Sequence, residues 1–300
     1  MRRRNWFRTA VEYAAARAVL FTLARGSRQR AEKRARRYVA LLGRFIPRLR
    51  RTAFRNLELA MPGLSRTEQE RIVEGSFLSI ARILVAMSRF STIGPKNISE
   101  WIRYEGFEHF EQSIARGKGV LFATAHLGNW ELSAFAHAIM ARPMSFVVRA
   151  LDNPKIDAEV TGLRSLSGNQ VIEKRDFARG ILRALHRNEA VGILIDQNVG
   201  LNDGVFVDFF GMRACVDKGF ARVAAHSGAA IIPGFALWNE QEQRYVLTFY
   251  EPIFATGEVQ TDTQRIHSKL EEVIRQHPDQ WLWMHRRWKT RPPGEPPLYD

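Results

Sequence analysis

Gly119-Val-Leu-Phe-Ala-Thr-Ala-His126-Leu-Gly-Asn-Trp-Glu131 is the stretch that decides the fold. Val120 to Thr124 is a short, continuously apolar run, the pattern of a strand buried on both faces of a sheet. Gly128-Asn129 then supplies turn and helix-cap chemistry, so the spacing predicts strand, tight loop and helix in succession. His126 falls at the carboxyl end of that strand, where open α/β sheets place their ligands.

Similar alternation continues downstream. Strands are expected at Ser145–Val148, Ala190–Ile195, Ala230–Leu237 and Tyr245–Tyr250, with helices near 130–141, 155–166, 176–187, 217–227 and 262–276. The fold class is therefore α/β, a central, mostly parallel sheet flanked by helices. Upstream, residues 1–93 read as helix, with a turn at Met61-Pro62-Gly63 and a capping box at Ser65-Arg66-Thr67-Glu68. A long periodic run follows through Ile72, Phe77, Ile80, Leu84 and Met87. Gly94-Pro95 marks the boundary. The expected organisation is a basic helical membrane-associating region over 1–93, an α/β domain over 94–291 and a polar tail over 292–300.

The formal charge of +14 on 300 residues is unevenly spread. Residues 1–55 hold 17 Lys/Arg against Glu12 and Glu32, leaving 28 basic and 29 acidic residues for the rest. A polycationic segment favours an anionic membrane surface, nucleic acid or an acidic protein. Nucleic acid is disfavoured, because the segment lacks aromatic interleaving and matches no DNA- or RNA-binding motif. Val11 to Ala24 is too short and too charged for a comfortable membrane span. Its residues Val11, Ala14, Ala15, Ala18, Val19 and Thr22 recur at helical spacing, with Trp6 and Phe7 nearby and arginines on both flanks. This reads as a helix lying in a membrane interface, with a short signal-anchor helix as the alternative. Cys215 is the only cysteine, so no intrachain disulfide forms and thiolate zinc sites are excluded. No H-E-x-x-H motif, Walker A loop or complete G-x-G-x-x-G occurs, so neither metal nor nucleotide cofactor is expected.

The histidine carries the candidate chemistry. On a continuous helix His126 and Glu131 point away from each other, but across a strand–turn–helix they can meet. A carboxylate on one imidazole nitrogen fixes the tautomer and leaves the other nitrogen free to take a proton from a hydroxyl. No G-x-S-x-G nucleophile elbow exists, so the acceptor's own hydroxyl would attack. Two readings fit at this point: a general base, or a hydrogen-bonded core histidine. If the strands are parallel, Arg149 and Asp196-Gln197-Asn198 converge on the same sheet edge as His126. Lys218 and Arg222 open a helix and could clamp an anionic group. Trp281-Leu-Trp283-Met-His285-Arg286-Arg287-Trp288-Lys289 reads as a membrane-interface belt, a carrier contact or core tryptophans.

Together, His126-Leu-Gly-Asn-Trp-Glu131, Asp196-Gln197-Asn198, Asp208-Phe209-Phe210-Gly211, the stretch Lys218 to Phe235 and His285-Arg286-Arg287-Trp288-Lys289 resemble the late acyltransferases of lipid A biosynthesis, within the lysophospholipid acyltransferase superfamily. The resemblance runs over almost the whole chain. It implies acyl transfer with His126 as general base and Glu131 orienting it. Arg149 and Asp196 would stand where the family keeps an arginine and an aspartate near that dyad. The resemblance further implies an acyl carrier protein thioester (or acyl-CoA) as co-substrate with no other cofactor. The acceptor would be a hydroxyl of a lipid A precursor, and the location the cytoplasmic face of a bacterial inner membrane. The candidate substrate-binding residues are Asn129, Arg149, Asp196, Gln197, Lys218 and Arg222, with the backbone N–H groups of Gly128-Asn129, or Arg149, as expected oxyanion donors. The glycerolipid branch carries a Phe-Pro-Glu-Gly-Thr-Arg-type segment, whereas this chain reads Ile195-Asp196-Gln197-Asn198-Val199-Gly200, which argues against a lysophosphatidate acceptor. Transfer to another glycolipid or aminolipid, a thioesterase or lipase, and a polybasic adaptor are the alternatives.

Overall fold

The computed structural model describes residues 5–173 and 177–299. Residues 1–4 of the basic region, Asp176 at the start of the helix expected over 176–187, and Asp300 of the tail lie outside the described residues. Four helices come first: α1 (Trp6–Leu23), α2 (Arg28–Phe45), α3 (Pro47–Ala60) and α4 (Arg66–Met87). The Ser65 hydroxyl accepts from Glu68 N–H while the Glu68 carboxylate accepts from Ser65 N–H, so the capping box forms as its sequence requires.

The alternating region then runs β1 (Ile102–Glu105), α5 (Phe107–Ala115), β2 (Val120–Thr124), α6 (Trp130–Met140), β3 (Ser145–Val148), α7 (Pro154–Ser165), β4 (Gln170–Glu173), α8 (Phe177–His186) and β5 (Ala190–Leu194). A hairpin of β6 (Gly204–Phe209) and β7 (Met212–Asp217) follows, then α9 (Gly219–Ser227), β8 (Ala230–Asn239), β9 (Arg244–Phe249) and α10 (Val259–Gln276). The seven-stranded sheet has the order β1-β9-β8-β2-β5-β3-β4, and β6 and β7 pair apart from it. β8, β2, β5, β3 and β4 are parallel; β9 runs antiparallel to β8, and β1 pairs parallel with β9. The mostly parallel sheet expected from the apolar runs is present.

β2 lies between β5 and β8, with Thr124 paired to Leu194. Ile195 N–H extends that ladder by donating to Thr124 C=O at 2.9 Å. The chain therefore leaves both strands at the same sheet edge, with His126 and Asp196 side by side. Gly128, at φ +65°, lies so close to β8 that a Cβ would collide with the carbonyl oxygen of Ala236. Only glycine permits that approach, and it turns the chain sharply into α6.

One hydrophobic core runs through the α/β elements and the N-terminal helices, from Leu23 and Leu57 through Phe77 and Phe122 to Trp288. The second half of α4, from Gly75 on, has no exposed residue because it lies between the other N-terminal helices and α6; Ser76 and Ser79 donate from it to the carbonyls of Trp281 and Gly128. Among the described residues, no helix is long and apolar enough to cross a membrane. α1 buries Thr9 and Leu23 but leaves Trp6, Phe7, Val11, Ala14, Ala18 and Phe21 exposed, a stripe at helical spacing, whereas Val19 and Thr22 of the expected face turn inward, Val19 against the core and Thr22 to the Tyr38 hydroxyl.

Candidate active site

His126 Nδ1 lies 2.9 Å from Asp196 Oδ1, and Asp196 Oδ2 accepts from the His126 backbone N–H at 3.0 Å. Trp281 Nε1–H donates to the same Oδ2 at 2.9 Å. The carboxylate is thus held by three donors, and only 3% of its side-chain surface is exposed. Burial alone would push its pKa up, but His126 and these hydrogen bonds outweigh that and hold it well below the usual carboxylate range. Burial likewise opposes charge on His126, yet Asp196, aided by Glu131, holds its pKa above the ordinary imidazole value. With Nδ1–H committed to Asp196, Nε2 keeps the free lone pair. Gln197 Nε2 lies 3.4 Å from it, and the Trp130 ring packs edge-on against the imidazole at 4.9 Å.

The expected His126–Glu131 hydrogen bond is replaced by this pair. Glu131 instead accepts two hydrogen bonds from Arg164 on α7, at 2.8 and 2.5 Å, and a third from Trp130 Nε1 at 3.2 Å. Its position in the first turn of α6 turns the carboxylate toward α7, while Asp196 reaches His126 directly from the neighbouring strand end. Glu131 and Arg164 remain in the site: both line an adjoining apolar slot.

Two cavities meet here. The first, about 540 Å³, is lined by His126, Trp130, Arg149, Arg164, Gln197 and Phe220, among others. The second is a narrow slot of about 60 Å³ running inward between Phe122, Phe135, Met144, Phe146, Gly192 and Phe249. Trp130, Val147, Val148, Arg164 and Leu194 line both. At the slot wall His137 is pushed down to about 3 by burial, so it is neutral, and its Nδ1 meets the Tyr104 hydroxyl at 2.9 Å.

The other expected residues divide. Arg149 and Gln197 line the larger cavity, and the Arg149 side chain is 81% exposed. Asn129 does not line it: the side chain is fully buried and caps α6 by accepting from Leu132 N–H at 3.0 Å. The backbone N–H groups of Gly128 and Asn129 are spent on Gln280 C=O and Ala236 C=O, which removes them as oxyanion donors. Lys218 is tied to Asn202 C=O at 2.8 Å and Arg222 is exposed; neither lines the His126 cavity. Cys215 is buried.

Of the three readings of Trp281–Lys289 (a membrane-interface belt, a carrier contact or core tryptophans), the structure shows the last: Trp281, Trp283 and Trp288 are buried, and only Lys289 is exposed. Leu282 N–H donates to His126 C=O and Gly128 N–H to Gln280 C=O, both at 2.9 Å. Asn198 N–H donates to His285 Nε2 at 3.1 Å, and Asn198 exchanges hydrogen bonds with Thr290. Burial keeps His285 at about 4, in the neutral form such an acceptor needs. This segment straps together the two loops that carry His126 and Asp196. Among the described residues no cluster of three or more His, Cys, Asp or Glu side chains is arranged to hold a metal ion.

A histidine–aspartate pair at the end of a buried strand, beside a polar cavity and an apolar slot, suits an acyltransferase, and the comparisons agree on that class. Residues 4–290 match the family described as bacterial lipid A biosynthesis acyltransferase, and the chain belongs to it. It is 30% identical over 259 residues to the lipid A biosynthesis lauroyltransferase of Escherichia coli (strain K12), covering 85% of this chain and 84% of that protein. It is 28% identical over 263 residues to the palmitoleoyltransferase of the same strain, covering 85% and 83%. To that strain's myristoyltransferase it is 25% identical over 263 residues, covering 86% and 81%.

Proposed function

We propose that the protein moves a fatty acyl group from an acyl carrier protein thioester to a hydroxyl of a lipid A precursor, by general-base catalysis and without a covalent intermediate. The observation that carries this reading is the His126–Asp196 pair, whose free Nε2 opens on a cavity that shares a wall with an apolar slot. His126 Nε2 takes the hydroxyl proton as that oxygen attacks the thioester carbonyl and the new C–O bond forms. Collapse of the intermediate breaks the C–S bond, and the imidazolium returns the proton to the departing sulfur. Gln197 and Arg149 are the cavity-lining groups that stabilise the oxyanion. Apolar burial in the slot holds the acyl chain, whose entry turns Met144 and Phe146 aside.

The acceptor arrives from a membrane. The exposed stripe of α1 and the arginines around it support seating in an anionic interface, where each basic residue adds about 1 kcal/mol. The chemistry needs neither metal nor other cofactor. The test is thiol release from a lauroyl thioester of acyl carrier protein, with and without a purified lipid A precursor. Release that depends on the acceptor and matches acylated product is expected; equal release without acceptor makes the protein a thioesterase.

A further inference from the structure

The tryptophan-rich C-terminal segment holds a group that the acyl-transfer step itself does not use. Trp281 is 2% exposed and sits in an aromatic cluster, 4.6 Å from Trp283, 5.9 Å from Phe209 and 6.3 Å from Phe210 between ring centroids. A packing role alone would be met by any large aromatic side chain. Trp281 does something more: its indole N–H reaches out of the cluster to Asp196 Oδ2 at 2.9 Å.

The geometry around that oxygen is informative. The carboxylate must present Oδ1 to the imidazole in the plane of the ring. The other oxygen has two donors: the His126 backbone N–H, which moves with the His126 loop, and Trp281 Nε1, which is anchored elsewhere. The backbone of the Trp281 segment is fixed on both sides, by Leu282 N–H to His126 C=O at 2.9 Å and by the Ser76 hydroxyl to Trp281 C=O at 2.5 Å. Ser76 on α4 and the aromatic cluster support this donor from outside the His126 loop, so it restrains the rotation of the carboxylate beyond what the His126 backbone does.

We infer that Trp281 is a positioning residue for acyl transfer, its indole N–H fixing the Asp196 carboxylate so that Asp196 aligns His126. This rests on the reading of His126 as the base. Trp281 lines neither cavity and acts only through Asp196. Charge-assisted hydrogen bonds to a buried carboxylate are the strong ones, and loss of orientation at a base is felt in turnover more than in binding.

Trp281→Phe keeps most of the aromatic bulk and removes the donor. Trp283→Phe is the matched control: Trp283 is wholly buried in the same cluster, and its Nε1–H donates to Pro278 C=O at 2.7 Å, away from Asp196. Steady-state transfer from the lauroyl thioester of acyl carrier protein to a purified lipid A precursor is measured for each variant, with thermal unfolding alongside. The expected result is a kcat loss of about tenfold or more for Trp281→Phe with KM within about threefold, and kcat within about twofold for Trp283→Phe. In an Asp196→Asn background the further loss from Trp281→Phe shrinks below about threefold, because the two act as one unit. Equal losses in the two tryptophan variants, full additivity with Asp196→Asn, or an unimpaired Trp281→Phe each overturn the inference. Should Trp281→Phe unfold, Trp281→His, which retains a ring N–H, restores turnover if the donor is what matters; a folded but inactive Trp281→His counts against it. His126→Ala run in parallel separates the two claims: its retained activity sinks the base, whereas an inactive His126→Ala beside an unimpaired Trp281→Phe sinks only the positioning role.

Discussion

Asp196 Oδ1 lies 2.9 Å from His126 Nδ1, at the carboxyl ends of adjacent parallel strands whose register pairs Thr124 with Leu194. The contact joins residues seventy positions apart in the chain. Sheet order alone creates it: with any other strand next to β2, Asp196 would end elsewhere along the edge.

That pairing has a pH signature. A protonated His126 cannot accept a second proton, so turnover rises as pH passes through the imidazole pKa, which Asp196 raises above the ordinary value of about 6.5. Asp196→Asn removes the charge that raises it, moving the limb to lower pH, and loses the tautomer control, lowering the plateau by about 100-fold or more. A kcat–pH profile of both proteins checks this; an unmoved limb assigns the titration to another group.

Glu131 and Arg164 form a largely buried ion pair, their side chains 9% and 16% exposed. Glu131→Gln or Arg164→Met alone leaves an uncompensated charge and is expected to destabilise by about 3–5 kcal/mol, whereas the double variant recovers much of that. Chemical denaturation of the two single variants and the double variant measures the coupling. Independent, additive losses would show that the pair does not act as a unit.

The strap depends on α3. Asn56 is fully buried, and its Nδ2 donates to Trp283 C=O and His285 C=O, both at 2.6 Å, while its Oδ1 accepts from the Tyr299 hydroxyl at 2.5 Å. Asn56→Leu orphans those partners and should cost about 1–3 kcal/mol, read as a lower unfolding midpoint. An unchanged midpoint would mean the strap is held without it.

Slot shape should set chain length. A Cβ at Gly192 meets the flexible Met144 Cε at 2.7 Å, so Gly192→Ala pushes Met144 into the slot. With a mixture of thioester donors, mass spectrometry of the products should show a shift toward shorter acyl chains. An unaltered distribution places the chain elsewhere.

What the sequence disclosed follows from how local each signal is. Strands β2, β3, β5 and β8 announce themselves as apolar runs, and the Ser65–Glu68 box carries its own geometry in four residues. β1 reads Ile-Arg-Tyr-Glu and β4 Gln-Val-Ile-Glu, short edge strands too polar and brief to stand out. The β6–β7 hairpin turns at Phe210-Gly211, both at positive φ, where Phe210 gives no turn signal of its own. His126 was legible because strand end and histidine coincide, and Asp196 was expected on the same sheet edge, but as a substrate-binding residue and not as the imidazole's partner. Glu131 is five residues away and Asp196 seventy, and spacing favours the near carboxylate until strand order is known. Arg164 was missed for the same reason: it is a single arginine on a mixed helix, distinguished only by the carboxylate it meets across the fold.

The central claim is that the His126 imidazole is the base, and the direct measurement is the turnover of purified His126→Ala with lauroyl-carrier thioester and a lipid A precursor, folding verified by thermal unfolding. A loss of at least about 100-fold in kcat is expected from removal of a general base. Turnover within about tenfold of the unaltered protein would contradict the account.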